Sequence, residues 1–462
     1  MPVNVKKVQT STDYKSTMFS STTRRNFIKR TMAASGAVAA PSILADRSPG
    51  SKLGIAVIGS GGMGSGNPGI AASERFVAMC DIDEGRIAKA AKSIAGKVPN
   101  PKVYHDYRKM IEECQKDIDL VLIATPDHHH APAAIRAIDL GKAVFCQKPL
   151  AHNIAECYKL AKAAEEKKVL TQMGNQGHFG ENIRQVCEYI WAGAIGKITE
   201  VHALLGRNFG GSGGRPVSKP VPGGIHWDEW LGPAPERDFH DGLHPFSWRT
   251  WRQFGTGTVG DMACHNLDTL FWALKLGEAP EFSIECLNTR GGSEEKYPQD
   301  NVVRWKFGAR GDMAPVEVYC YDHKGLMPEV MLEAQREHNI QFNEHTLFVG
   351  EKGMITISGT SGRWQFLPEE RINDLPVPAK TLPRAHGGPI HDLIHACKHG
   401  TKPCSDFPGS AAPLSAFAAT GHLAAFAGVG KMLKWDVRKM KCTNDSEINR
   451  LVRREYRPGW EV

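Results

Sequence analysis

Two groups of residues in this chain have types and spacings that suit chemistry. Asp261, His265 and Asp268 recur at i, i+4 and i+7, a spacing that puts two carboxylates and an imidazole on one face of a helix. Leu267, Leu270, Phe271 and Leu274 make a second, apolar face, so the same helix can pack by one side and aim Asp261 and His265 into a cavity. The glycine at 257 lets a ligand come close to the start of that helix. The second group is Gly59-Ser60-Gly61-Gly62-Met63-Gly64, with Asp81 following at the end of the next apolar run. Gly59 permits a tight turn, Gly61 lets the backbone approach a pyrophosphate, and Gly64 allows close packing of the following helix, whose amino terminus favours phosphate charge. A carboxylate at 81 accepts hydrogen bonds from a ribose 2′-hydroxyl and repels a 2′-phosphate, which points to NAD rather than NADP.

The elements that must position these residues are legible as alternating runs. Leu53–Ile58, Phe76–Cys80, Leu120–Ala124 and Ala143–Cys146 are short and continuously apolar, as strands buried on both faces are; helix-like stretches at Glu84–Ala95 and Ala131–Leu140 lie between them. This predicts a doubly wound parallel sheet over residues 46–173. From 174 onward the texture changes to glycine-rich and aromatic loops with alternating strands, as at Ile198–Leu205, Val302–Phe307 and Thr346–Val349. A second α/β domain over 174–462, built on an open and mainly antiparallel sheet, is the expectation. Phe209–Gly224 is too long for a simple connection and reads as a lid or an oligomer contact. Ser410–Leu433 reads as a small-residue helix.

Three motifs then resemble the Gfo/Idh/MocA oxidoreductases over nearly the whole chain past residue 45. Thr125-Pro126-Asp127-His128-His129-His130 is similar to the family's T-P-N-x-x-H, with Asp127 where Asn is common. Gln147-Lys148-Pro149 is similar to E-K-P, with Gln replacing Glu. Gly257 to Asp268 resembles G-G-G-x-x-x-D-x-x-x-H-x-x-D. The resemblance implies that Thr125, Pro126, His130, Gln147 and Lys148 border the cofactor together with Gly59, Gly61, Gly62, Met63, Gly64 and Asp81. It makes Lys148, His265 and Asp261 the catalytic group, and Gln176, Asp261, His265 and His391 the substrate contacts. Oxidising a secondary alcohol needs a base for the hydroxyl proton, and Lys148 and His265 are the two candidates. The implied activity is NAD-dependent oxidoreduction at a secondary hydroxyl of a sugar, polyol or glycoside. Redox-assisted glycoside hydrolysis with the same residues is the alternative, and a non-catalytic sugar-binding protein is a third reading. Subunit contacts through the second sheet are implied as well.

Other polar clusters carry less. His386, His391, His395 and His399 include i, i+4 spacings but no H-E-x-x-H pattern, and the triplet His128–His130 sits on a turn where successive side chains diverge, so no metal is assigned. Trp227, Trp230, Trp248 and Trp251 suit aromatic packing more than sugar stacking.

Net charge sets the remaining bounds. Of the formal +7, residues 1–45 carry seven Lys/Arg against Asp13 alone, so the rest of the chain is nearly neutral and offers no footprint for nucleic acid. No apolar run is long enough to insert in a membrane. Thr22-Thr23-Arg24-Arg25-Asn26-Phe27-Ile28-Lys29, followed by a small-residue apolar stretch to Ala45, resembles a twin-arginine signal, which predicts export of the folded protein, cofactor aboard, to the periplasm. Free NAD is scarce there, so the cofactor must be held tightly and recycled. The eleven cysteines contain no C-x-x-C pair and signal neither a zinc site nor a disulfide framework.

Overall fold

The computed structural model describes residues 50–360 and 362–462, so the leader read at 1–45 lies outside the described residues. Six strands, β1 (Gly54–Ile58), β2 (Arg75–Cys80), β3 (Val103–Tyr104), β4 (Leu120–Ile123), β5 (Ala143–Cys146) and β6 (Thr171–Met173), form one sheet in the order β3-β2-β1-β4-β5-β6. Every neighbouring pair is parallel. β1, β4 and β5 are buried along their whole length, which is why their sequences do not alternate. Helices α1 (Asn67–Ser73), α2 (Glu84–Ile94), α3 (Tyr107–Cys114), α4 (His130–Asp139) and α5 (Ile154–Lys167) join and cover them. The strand order reverses between β1 and β4, so a crevice opens beyond the carboxyl ends of those strands.

The second sheet has nine strands. These are β7 (Ile198–Leu204), β8 (Glu281–Gly291), β9 (Pro298–Phe307), β10 (Val316–Tyr321), β11 (His345–Gly350), β12 (Gly353–Ser358), β13 (Trp364–Leu367), β14 (Leu433–Asp436) and β15 (Lys441–Cys442), in the order β13-β12-β11-β7-β10-β9-β8-β14-β15. All pairs are antiparallel except β7 with β10, so this is the open, mainly antiparallel sheet that the sequence predicts. Alternation explains its two faces. Val303, Trp305 and Phe307 point into the main core, while Arg304 and Lys306 between them pair with Glu285 and Glu317 on the other side.

Helices α6 (Glu181–Trp191), α7 (Trp227–Leu231), α8 (Gly257–Asn266), α9 (Asp268–Ala273), α10 (Glu329–His338), α11 (Pro389–His399) and α12 (Ala412–Ala427) complete the fold. Two of them correct the sequence reading. α12 stops at Gly428, whose φ of 102° belongs to glycine, so the helix is shorter than Ser410–Leu433 and Leu433 already begins β14. α8 and α9 are separate helices broken at Leu267, so Asp268 is not a third rung on the face of Asp261 and His265. The split between domains is not clean either. Ile390, Leu393, Ile394 and Cys397 of α11 pack on Leu53, Ile55, Val57, Leu120 and Phe145 of the parallel sheet.

Candidate active site

The crevice at the switch between β1 and β4 holds a cavity of about 290 Å³, walled by the glycine turn, Asp81, Thr125, Pro126, Gln147 and Lys148. Gly59 turns the chain at φ 83°, and a Cβ there would meet the Ala124 carbonyl oxygen at 2.4 Å. A Cβ on Gly64 would lie 2.4 Å from the Gly59 oxygen, so this glycine is set by close packing. The segment after the turn is first a 3₁₀ helix, Gly62–Gly66, and only then α1. Asp81 accepts from the Ser60 amide at 2.7 Å and hydroxyl at 3.0 Å, which fixes its carboxylate beside the turn. Thr125 Oγ1 and Gln147 Oε1 are buried without a hydrogen-bond partner among the described residues, two polar atoms in the cavity wall for a ligand to satisfy. Glycine cradle, acid and orphaned polar atoms together fit a dinucleotide without a 2′-phosphate, that is, NAD.

Beyond the cavity's inner end, Lys148 Nζ donates to Asp261 Oδ1 at 2.8 Å and to the Asp261 carbonyl at 2.9 Å. Arg249 Nε donates to the same Oδ1 at 2.9 Å. Burial alone would raise the Asp261 carboxyl, but the charges of Lys148 and Arg249 outweigh it and hold the group at about 2, so it stays ionised. Asp261 thus supplies Lys148 with the charge partner that Gln147 cannot. His265, one turn along α8, is buried, and that burial, helped by the Lys148 charge, pushes its imidazole down to about 3. It is neutral at ordinary pH, and its Nδ1 has no partner among the described residues.

The sequence offers Phe209–Gly224 as a lid, but the residues that wall the cavity from this side lie further along, between Glu229 and Arg249. From Gly206 to Phe254 the chain crosses from the second domain onto the first as a strap. Glu84 N donates to Gly224 O at 3.0 Å, His226 N donates to Ile82 O at 2.9 Å, and His244 Nε2 bonds Asp83 Oδ2 at 2.9 Å. Trp230, Leu231, Leu243, Trp248, Trp251 and Phe254 form the strap's own core, with Trp227 stacked on Trp230 at 4.6 Å. Their main business is packing, although Trp230 and Trp248 also wall the cavity along with Phe246 and Arg249. Arg249 lies 4.2 Å from the Trp248 ring centroid and 4.6 Å from that of Phe246. A long Gly/Pro-rich loop was the one signal for the strap; its destination depends on pairing with Ile82 and Asp83, far away in sequence.

The remaining predicted residues are placed as follows. Gly61, Gly62 and Met63 line the cavity. His130 does not: its Nδ1 lies 2.7 Å from Pro149 O and its Nε2 3.0 Å from Thr125 O, so the neutral ring donates to one of these two carbonyls and packs behind the cavity-lining turns. His128 and His129 do not diverge. Both turn an Nε2 to the Trp230 carbonyl, at 2.9 and 2.8 Å, and so anchor the strap. Gln176 is half-buried on the turn Gln176–Phe179. Asp268 accepts from Asn175 and bonds His178. His391 is exposed on α11, whose apolar side packs on the parallel sheet, and it does not line the cavity. Asp127, unassigned from sequence beyond its motif position, is fully buried in the cavity wall and accepts from Thr256 Oγ1 at 2.6 Å; burial, only partly opposed by Arg249, raises its carboxyl to about 7.

Comparison with known proteins agrees with this geometry. Residues 53–175 match the oxidoreductase family's NAD-binding Rossmann fold, and residues 207–297 match its C-terminal alpha/beta domain. Inositol 2-dehydrogenase of Salmonella paratyphi B is 34% identical over 137 residues, 29% of this chain and 38% of that protein, so the match spans well under half of the relative's length. Glycosyl hydrolase family 109 protein 1 of Shewanella sp. (strain MR-4) is 28% identical over 371 residues, covering 72% of this chain and 73% of the other. Among solved structures, the aldose-aldose oxidoreductase of Caulobacter crescentus, complexed with glycerol, has a TM-score of 0.55 at 16% identity over 83% of this chain and 99% of that one. The WlbA dehydrogenase of Bordetella pertussis, in complex with NADH and UDP-GlcNAcA, has a TM-score of 0.56 at 16% identity, over 82% and 98%. These two establish the fold alone. With a glycine cradle and Asp81 on one domain, Lys148 reaching Asp261 on the other, and residues 53–175 and 207–297 matched by that family's models, the chain is similar to the Gfo/Idh/MocA oxidoreductases and carries an NAD-binding Rossmann domain.

Proposed function

We propose that this protein is an NAD-dependent oxidoreductase that acts on a secondary hydroxyl of a sugar, polyol or glycoside and retains its cofactor between turnovers. The observation that carries the reading is the buried Lys148–Asp261 pair, 2.8 Å apart at the inner end of the NAD cleft, with the unpartnered His265 one helical turn away. NAD supplies the hydride acceptor. Lys148, held by Asp261, is a fixed cationic donor that orients a substrate hydroxyl. His265, kept neutral by burial one turn along α8, and Lys148 are the two candidates to take the hydroxyl proton as the alcohol is oxidised. Asp261 stays ionised throughout and stabilises positive charge on either. Arg249, stacked among aromatic rings, closes the site from the strap side and helps to exclude water.

The 28% identity over 371 residues to a family 109 glycosyl hydrolase supports a second reading, redox-assisted hydrolysis of a glycoside. The twin-arginine pattern at Thr22–Lys29 supports export to the periplasm, where a retained cofactor is an advantage, and the family resemblance supports self-association through the second sheet.

The test is to denature the purified protein and identify the released nucleotide, then offer intact holoenzyme a panel of sugars and aryl glycosides while following reduced nicotinamide absorbance. Bound NAD that is reduced and stays so until an acceptor sugar is added supports the oxidoreductase. Aglycone released over many turnovers without net reduction supports the hydrolase. Lys148→Met is expected to lower the rate by roughly 10²–10⁴ per nucleotide-loaded chain; full activity in that variant would remove the proposed site.

A further inference from the structure

Where the strap first meets the nucleotide-binding domain, three side chains of metal-ligand type converge. Glu84 opens α2, His105 directly follows β3, and His226 belongs to the strap. One ligand atom from each lies within 4.8 Å of the other two. The two imidazoles are stacked, with ring centroids 3.6 Å apart and planes 13° apart, and His226 Nε2 is 3.4 Å from Glu84 Oε1. His105 Nδ1 meets the Asp81 carbonyl at 3.0 Å. A carbonyl can only accept, so Nδ1 carries the hydrogen and Nε2 is left with a free lone pair. That is the outer hydrogen bond which fixes the tautomer of a metal-bound histidine.

We propose that Glu84, His105 and His226 bind a divalent ion of the zinc class, which fastens the strap over the adenosine end of the NAD cleft. Two imidazoles and one carboxylate suit zinc by donor type and leave a coordination position for water. The setting suits a fastening role. Glu84 and His105 belong to the nucleotide-binding domain and flank Asp81, which faces the ribose, whereas His226 belongs to the strap. Without an ion the strap is held by the two main-chain bonds at Ile82 and Glu84, the His244–Asp83 pair, the Arg86 contact to the Pro245 carbonyl, and His128 and His129 at the Trp230 carbonyl. The ion would cross-link the two segments and slow the opening through which nucleotide leaves. The retention part of this proposal rests on the reading that NAD is held between turnovers; the ion site itself does not.

The test uses holoenzyme purified in chelator-treated buffer and titrated with Co²⁺, whose visible absorption reports the coordination shell. One equivalent per chain is expected, and His105→Ala and His226→Ala should each weaken binding by on the order of 100-fold while their metal-free melting temperatures stay at that of the parent. Absence of stoichiometric binding, or binding unchanged by both substitutions, overturns the site. NAD release, followed after dilution, is expected to be slower with Zn²⁺ than without it in the parent and equal in H226A. Stoichiometric binding with no effect on release overturns the fastening role. Rapid NAD loss both with and without Zn²⁺ would instead count against cofactor retention, and the cobalt titration would still decide the ion site.

Discussion

Asp127 shows at the residue scale how far burial can move a group that looks ordinary in sequence. Its carboxyl sits at about 7 because burial outweighs the pull of Arg249 and the Thr256 hydroxyl. Between about pH 4 and pH 7 the folded chain therefore keeps a proton that the unfolded chain releases, so this residue's contribution to stability is full below pH 4 and is lost as pH rises through 7. Asp127→Asn keeps an acceptor for Thr256 without the titration. The denaturation midpoint of this variant should match the parent at pH 4 and exceed it at pH 8, by up to ~4 kcal/mol in unfolding free energy. Asp81 is the opposite case, a carboxylate whose role follows from its position. Asp81→Ser should weaken NAD binding and admit NADP, read by competition between the two nucleotides on the stripped protein. Asp81 and the glycines were legible because a local turn dictates them. Arg249 and the burial of Asp127 were not, because both depend on a segment more than a hundred positions away folding over the cavity.

Elements were legible where their periodicity was strong, and misread where a break or a packing partner lay outside the pattern. The parallel strands announced themselves as continuous apolar runs. The helix carrying Asp261 and His265 was foreseen, but its i+7 rung failed: the chain breaks at Leu267, and Asp268 turns to Asn175 and His178. Nothing in the local sequence around His391 says that α11 packs on the parallel sheet. The same dependence makes the turn before α1 intolerant of bulk. A Cβ at Gly64 meets the Gly59 carbonyl oxygen at 2.4 Å and the Ala124 Cβ at 2.8 Å, and the first of these is backbone that cannot swing aside. Gly64→Ala is expected to cost about 1–3 kcal/mol of stability and to lower nucleotide content, measured by denaturant melts and by nucleotide released per chain.

The whole molecule is knitted rather than strung. Residues 50–175 expressed alone would expose the sheet face that Ile390, Leu393 and Ile394 cover, and such a fragment should aggregate where the full chain does not, as light scattering would show. Burial also collects histidines. His129 and His265 are pushed to about 3, and His130 and His422 to about 4, in each case chiefly by loss of water. Their folded values lie below the unfolded one, so the stability they lend is full above about pH 6.5 and falls as pH drops toward 3. Thermal melts should therefore shift steeply downward below pH 6. Trp460 closes the same cavity that Gly59 opens, resting against Tyr107, His129 and the Arg108 guanidinium. In time rather than space, this means that the nucleotide cradle emerges from the ribosome early and waits without this wall until Trp460 has been made. A chain stopped before Trp460 would present the glycine turn without that wall and is expected to release nucleotide faster than the full chain, as nucleotide retained per chain after dilution would show.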